Sequence, residues 1–159
     1  MAMMLPGWLT EALQYLGYEW PSSNEDILAN NADAFRDAGA DADSAIRDIQ
    51  DALKHILSQN ESDVTAAFEG YMRGDESNLS SLEDFKDACD IIAGGFDVMS
   101  AAVVTLKLAV IAELVVLAVA IAGAVLSGGT ASGPALAARE AAKRAVDFAI
   151  NVAIEEVLG

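Results

Sequence analysis

The chain has 159 residues and carries 25 Asp and Glu against 9 Lys and Arg, a formal net charge of −16. This length supports one apolar core, and 53% of the residues are hydrophobic. The charge argues against nucleic acid as a partner, because phosphate binding requires clustered cations. The single cysteine, Cys89, excludes an internal disulfide and is predicted to be a small core residue.

Charge divides the chain into two unlike halves. Residues 1–90 hold 19 acids and 5 bases, a net of −14, whereas residues 91–159 hold 6 acids and 4 bases, a net of −2. We therefore expect an acidic, solvated first half and an apolar second half. The N-terminus lacks a basic leader followed by a long apolar stretch, so no secretory signal peptide is predicted. The chain then either stays inside the cell or leaves it by a route that recognises another signal.

A strongly marked helix start occupies residues 20–26, with the sequence WPSSNED. Proline fixes its own backbone dihedral and lacks an amide donor, which suits the approach to a helix. Ser22 with Glu25, and Ser23 with Asp26, have the spacing of a capping box. The acids also place negative charge at the positive end of the helix dipole. The pattern predicts a well-capped helix with the tryptophan packed as a lid.

Two helices are predicted around that start. A short one over residues 6–16 is expected to cap one end of the fold through Trp8 and Trp20. A long one over residues 24–59 carries apolar and small residues at alternating spacings of three and four, which predicts one buried face. This first stripe consists of Phe35, Ala38, Ala42, Ala45, Ile49, Ala52 and Ile56, with Ile46 and Leu53 beside it.

The middle of the chain predicts a connection between two long helices. Residues 60–63 interrupt the first helix, residues 64–72 form a short helical piece, and residues 74–80 form a polar turn. A second long helix is expected to start near residue 81, where two overlapping pairs have capping-box spacing: Ser80 with Glu83, and Ser81 with Asp84.

The second long helix carries a stripe in which eleven of twelve positions are apolar, with Glu113 as the exception. The stripe consists of Phe85, Cys89, Ile92, Phe96, Met99, Val103, Leu106, Val110, Glu113, Leu117, Ala120 and Ala124. Residues 127–134 are predicted to end it, and a last helix over residues 136–158 to fold back with Val146, Ile150, Ala153 and Val157 inward. No strand signal is found, so the predicted class is all-α: an elongated bundle built on a long antiparallel helical hairpin. The expected domains are 1–127, the short helix plus hairpin, and 128–159, the turn and last helix.

These motifs carry a resemblance to a known family. Trp20, Pro21, Asn24, Glu25 and Asp26 match the helix start of WXG-like N-terminal domains of actinobacterial polymorphic toxins, which are exported by type VII secretion. Phe68 and Gly70 resemble the Trp-any-Gly turn of the hairpin, with phenylalanine in place of tryptophan. The family's export signal, tyrosine followed four residues later by an acid, is matched by Tyr71 with Asp75 and by Tyr15 with Glu19.

The resemblance implies a secreted or cell-surface bacterial protein without a signal peptide. Its role would be a targeting and carrier module at the front of a larger effector, with the toxin domain after residue 159. It also implies small helical WXG partners and the secretion machinery as binding partners, with a homo-oligomer as a further option. The expected partner-facing stripe consists of Phe35, Ile46, Ile49, Leu53, Ile56, Phe85, Ile92, Phe96 and Met99.

A membrane-inserting or pore-forming module is the alternative. The clean apolar run over residues 114–126 is 13 residues long, short of the roughly 20 that a bilayer requires. Extending it backwards includes Glu113 and Lys107, which are costly in a membrane. A soluble four-helix arrangement is preferred, with Glu113 at an edge or paired with Lys107 or with a base of the last helix: Arg139, Lys143 or Arg144.

Catalytic and metal-binding patterns are weak in this sequence. His55 is the only histidine and lies on a helix without a nucleophile near it, so it is predicted to be solvated. Four aspartates at positions 41, 43, 48 and 51 spread around a helix instead of following calcium-ligand spacing. The sequence therefore predicts no enzyme, no metal and no cofactor. A self-associating helical scaffold stays open as a third class.

Overall fold

The chain folds into five helices in a computed structural model that describes residues 2–126 and 132–158. They are α1 (Gly7–Leu16), α2 (Glu25–Gln59), α3 (Asp63–Met72), α4 (Asn78–Leu126) and α5 (Ser132–Leu158). No strand occurs among the described residues, which confirms the all-α class. The predicted turn at residues 127–134 and the predicted domain boundary at 127/128 fall largely on residues 127–131, outside the described residues.

The chain forms two compact units, to both of which α2 and α4 contribute. Unit 1 consists of Met1–Leu28 and Val98–Gly159, and unit 2 consists of Ala29–Asp97. In unit 2, Phe35 stacks on Phe96, and Gly39 lies against Cys89. Residue numbers therefore rise along α2 as they fall along α4. This is the antiparallel pairing of a helical hairpin.

The core of unit 1 is built from three helices. The buried side chains of α1 recur at spacings of four and three, which gives this short helix one apolar face. They cluster with buried side chains of α4 and α5: Leu9, Leu13 and Leu16 with Val110, Leu114, Leu117, Ala142 and Val146. The structure corrects two details here: Trp8 is 58% exposed, and Val157 is 43% exposed instead of facing inward.

The seam of unit 2 includes several small residues. Gly39 is buried between the helices, and a β-carbon placed there would lie 3.4 Å from the Cys89 β-carbon. The other buried hydrophobic residues of the unit are Ala32, Ala42, Ile46, Leu53, Leu79, Cys89 and Ala93. The prediction that Cys89 is a core residue is thus confirmed. Phe85 and Ile92, at 50% and 40% exposure, are not part of the seam.

The connection between α2 and α4 contains the short helix predicted over residues 64–72, observed as α3, but the predicted Phe68 and Gly70 turn is not a turn. Phe68 and Gly70 lie inside α3, so they form a helical segment instead of the hairpin turn. The tight turn follows at residues 73–77, where the Ser77 amide donates to the Gly74 carbonyl. The buried Ser77 hydroxyl accepts the Ser80 amide at 3.0 Å and caps α4. For this reason α4 begins at Asn78, three residues earlier than predicted, and it runs unbroken for 49 residues.

Candidate functional site at the start of the second helix

Asn24 caps the start of α2. Its side-chain oxygen accepts hydrogen bonds from the amides of Asp26 at 2.9 Å and Ile27 at 3.2 Å. Ser22 and Ser23, the predicted caps, have exposed side chains. The correction has a physical reason, since asparagine one residue before the helix reaches amides that a free helix end leaves unpaired.

Glu25 does not serve in a capping box, because its carboxylate is buried in unit 1. One oxygen accepts a hydrogen bond from the Lys107 ammonium at 2.6 Å, and the other accepts the Met3 amide at 2.5 Å. The hydrogen bond from Lys107, followed by that from Met3, lowers the pKa of Glu25 from 4.5 to about 2. These bonds outweigh burial, which alone would raise the pKa.

Lys107 is the other member of the buried pair, with a residue exposure of 2%. Its ammonium also donates to the Ser23 carbonyl at 2.8 Å and lies 5.7 Å from the centre of the Trp20 ring. We call the set Trp20, Ser23, Glu25 and Lys107 the latch. A buried ion pair of this kind needs such additional contacts to offset the loss of hydration.

The latch gives the predicted helix-start motif a structural role. Trp20 packs against the unit 1 core beside the ammonium, and Pro21 follows it at a half-buried position. A further bond joins the same elements, since the Ser100 hydroxyl donates to the Glu25 carbonyl at 3.0 Å. Three motif positions thus act in packing, capping and pairing, and Trp20 and Glu25 tie the approach to α2 to Lys107 of α4 within unit 1.

Lys107 was missed as a site residue by sequence reasoning, which named it only as one of several alternative partners for Glu113. In the structure, the Lys107 ammonium pairs with the carboxylate of Glu25, 82 residues away in sequence. A signal was present: Lys107 continues the buried positions Val110 and Leu114 at spacings of three and four, where a cation requires a buried partner.

Aromatic residues before the latch contact α5 in unit 1. The Tyr18 hydroxyl donates a hydrogen bond to Asp147. Burial, followed by this bond and the nearby negative charge, raises the pKa of Tyr18 to about 12. The Arg139 guanidinium lies 4.9 Å from the centre of the Tyr15 ring. Tyr15, one candidate for the export signal, therefore already has a partner within the chain.

The other candidate signal lies at the end of α3. Tyr71 is in the last turn of that helix and is 54% exposed, while Asp75 is exposed in the following turn. Phe68, from the predicted turn motif, is 38% exposed and does not plug the hairpin. Its role, and that of the Tyr71 and Asp75 pair, stays a prediction.

The predicted partner-facing stripe is split by the structure. Ile46 and Leu53 are buried within the chain and cannot meet a partner, and Phe35 stacks on Phe96 with ring centres 5.8 Å apart. The remaining members are half-buried or exposed: Ile49 and Met99 are half-buried, and Ile56, Phe85 and Ile92 are exposed.

A different apolar face is exposed on α4 in unit 1. Leu108, Val115 and Val119 are 53%, 44% and 68% exposed, and Val116 beside them is 59% exposed. The first three, with the exposed Ala112, follow spacings of four, three and four on one side of the helix. We call Leu108, Ala112, Val115, Val116 and Val119 the α4 outer face.

The described side chains offer little for chemistry. Within residues 2–126 and 132–158, no group of three or more His, Cys, Asp or Glu is placed to hold a metal ion. His55 is exposed on α2, as predicted. By length and composition alone, one described segment is apolar enough to cross a membrane, Asn78–Gly123, and 22% of its most apolar window is buried.

Comparison with known proteins gives one match. A family model described as a WXG100 like domain matches residues 3–148, which include the latch, all of α1 to α4 and more than half of α5. No curated protein and no solved structure matches the chain.

Proposed function

Because the chain belongs to the family of WXG100-like domains, helical proteins related to type VII secretion, we propose that it is a secretion-targeting and partner-binding module of a larger secreted effector. In this role it carries the recognition surfaces, and the effector chemistry resides in another part of the protein. Its partners are small helical proteins of the same family and the secretion machinery, and its destination is outside the cell.

The observation that carries this proposal is the α4 outer face. The helix has two apolar sides in unit 1, because Val110, Leu114 and Leu117 are buried in the core while the outer face is exposed. A helix apolar on both sides is normally covered on both sides. A second helical hairpin with its own apolar stripe fits the uncovered side, by helix packing of the kind that unit 1 already uses.

Co-expression with small WXG100-like proteins from the same genome tests the partner-binding part. We expect one of them to co-purify as a stable complex, and Val115→Asp with Val119→Asp to weaken it at least about tenfold, since a charge would be buried in the interface. Leu136→Asp, at an α5 position that is 60% exposed, is the matched control. No complex with any such protein, or equal loss with the control, would refute docking on this face.

Secretion assays in a host with a type VII system test the targeting part. We expect Tyr71→Ala with Asp75→Ala to reduce export at least about tenfold while the folded chain accumulates inside. Tyr15→Ala with Glu19→Ala is the matched pair, and we expect it to export normally. Loss of export only in the Tyr15 and Glu19 variant would identify that pair as the export signal. Normal export of both variants would show that the signal lies on a partner protein.

Membrane insertion is the second candidate function, and the same surface favours it. The most apolar 18-residue window of Asn78–Gly123 has a mean hydropathy of 2.5. Insertion, however, carries Glu113 into the bilayer, at a cost of about 2.5 to 3.5 kcal/mol near its centre. Flotation with phosphatidylglycerol vesicles and dye leakage separate the candidates. A carrier stays in the soluble fraction and leaves vesicles intact. An inserting module floats with the vesicles and releases their dye.

A further inference from the structure

Helix α3 is unusual in this chain because none of its ten residues is buried. Its apolar side chains Val64, Phe68 and Tyr71 recur at spacings of four and three, so they share one side of the helix. They are 78%, 38% and 54% exposed. We call these three residues the α3 face.

Local interactions alone support α3 weakly. The Ser62 hydroxyl accepts the Thr65 amide at 3.2 Å, and Arg73 bonds Glu69 at 2.9 Å on the surface. Gly70 in the interior lowers helix propensity. Helices this short are marginal in water unless tertiary packing supports them. Contacts from outside the chain would supply the packing that the α3 face lacks.

The surroundings of the α3 face are acidic. The residues from 60 to 77 include five acids and one base, and the base, Arg73, is bound to Glu69. Unit 2 as a whole holds 16 acids and 5 bases, a net of −11. Each of the five bases is paired with acids of the same unit: Arg36 with Asp33 and Asp97, Arg47 with Asp43, Lys54 with Asp51, Arg73 with Glu69, and Lys86 with Asp87 and Asp90.

We propose that the α3 face docks an amphipathic helix of another protein, with an apolar stripe flanked by Lys and Arg. The three apolar side chains contact the apolar stripe of the partner helix, and the surrounding carboxylates attract its Lys and Arg side chains. A second copy of this chain fits poorly, because both surfaces would carry the same negative charge. A lipid surface fits poorly as well, because interfacial helices carry Lys and Arg that attract anionic lipids.

This surface is separate from the α4 outer face, but it shares Tyr71 with the candidate export signal, so peptide binding and export are measured separately. It uses Val64, Phe68 and Tyr71 in unit 2, whereas the partner proposed above docks on the α4 outer face in unit 1. Variants of the two surfaces therefore fail separately. Loss of binding on one leaves the other proposal intact.

Titration with a pair of synthetic helical peptides tests the proposal. Both carry the same leucine stripe, one flanked by lysines and the other by glutamates. We expect the lysine peptide to bind at least about tenfold more tightly, and added salt to weaken its binding. In hydrogen exchange, we expect the amides of α3 to exchange faster than those of α2 in the free chain, and to slow on addition of the lysine peptide.

Variants separate docking from nonspecific attraction to a negative chain. Phe68→Ala with Tyr71→Ala should weaken binding of the lysine peptide at least about tenfold, because hot-spot aromatics dominate such contacts. Phe68→Leu keeps an apolar side chain and should retain binding. Ile91→Ala is the matched control, since Ile91 is exposed on α4 of the same unit, at 76%.

Four results would overturn the proposal. Equal binding of the two peptides would remove the cationic requirement, and full binding by the double variant would remove the α3 face. A dimer of the free chain that the double variant abolishes would make a second copy the occupant. Binding to phosphatidylcholine or phosphatidylglycerol vesicles that the same variant abolishes would make a lipid surface the occupant.

Discussion

Units 1 and 2 solve the same problem, the pairing of α2 with α4, by different means. Unit 1 joins the start of α2 to α4 through a buried ion pair, packs α1, α4 and α5 through large aliphatic side chains, and holds 9 acids and 4 bases. Unit 2 joins its helices through a seam that combines small residues with Ile46, Leu53 and Leu79, and it holds 16 acids and 5 bases. Specific buried contacts thus dominate in unit 1, and close backbone approach dominates in unit 2.

The difference can be measured because the two units have separate reporters. Both tryptophans, Trp8 and Trp20, belong to unit 1, so tryptophan fluorescence follows that unit alone. Helical circular dichroism follows both units, and hydrogen exchange resolves them. Unfolding curves that coincide for all three probes would show that the two units unfold together.

Removing the buried cation should have the largest effect. Lys107→Met leaves the Glu25 carboxylate buried without its partner, and breaking such a pair costs about 3 to 5 kcal/mol. We expect this loss in urea unfolding followed by tryptophan fluorescence. The double variant Glu25→Gln with Lys107→Met buries no charge, so it should recover part of the loss.

The matched control for this experiment is Lys54→Met in unit 2, where the lysine pairs with Asp51 in solvent. Its side chain is 73% exposed, and such surface changes usually stay within about 0.5 kcal/mol. A loss for Lys107→Met as small as that of the control would show that the ion pair of unit 1 is not buried in solution.

Lowering the pH should have the next largest effect, a loss of stability in unit 1. Folding lowers the pKa of Glu25 from 4.5 to about 2, so the ionised form stabilises the fold at neutral pH. That contribution is complete above about pH 4.5 and is lost as the pH falls through about 2, in all about 1 to 3 kcal/mol. Urea unfolding across this range should show it in the wild type and not in Glu25→Gln.

Enlarging Gly39 tests the seam of unit 2. A β-carbon fits, since it would meet the Cys89 β-carbon at 3.4 Å and the Lys86 carbonyl at 3.8 Å. Gly39→Ala should therefore stabilise α2 by about 0.5 to 1 kcal/mol through helix propensity. Gly39→Leu overfills the seam and should cost about 1 to 2 kcal/mol net. Equal exchange rates of the α2 amides in both variants would show that the helices are not closely packed there.

The surface ion pairs of unit 2 should have the smallest effect. Arg47→Gln removes the exposed pair with Asp43, four residues earlier on α2. We expect a loss below about 1 kcal/mol that disappears at high salt, because exposed pairs are weak and screened. Stability is measured by circular dichroism at low and high salt. A loss of stability that persists in high salt would show that the surface pairs stabilise unit 2 as strongly as the buried ion pair stabilises unit 1.

Periodicity predicted much of this fold from sequence. The helix bounds of α2 and the buried position of Cys89 follow from spacings of three and four, because one face of each helix must be covered. The cap of α2 and the start of α4 were misplaced. Several serines offered equivalent capping patterns, but Asn24 caps α2 and Ser77 caps α4. The Glu25 carboxylate pairs with Lys107 instead of completing a capping box.

The latch was beyond the reach of local patterns. Its acid and its base are 82 residues apart, and each has nearer residues of opposite charge in sequence. The side of α4 that pairs with α2 also depends on where the backbones approach most closely. In unit 2, Gly39 lies against Cys89, while Phe85 and Ile92 of the predicted stripe on α4 stay exposed.

Cys89 has a practical consequence as the only thiol of the chain. Its side chain is 1% exposed and lies against Gly39, so a thiol reagent reaches it only when the two helices separate in unit 2. The rate of its alkylation under native conditions then reports how often α2 and α4 separate in unit 2. The native cysteine thus serves as a chemical probe of local helix separation in unit 2, without any engineered label.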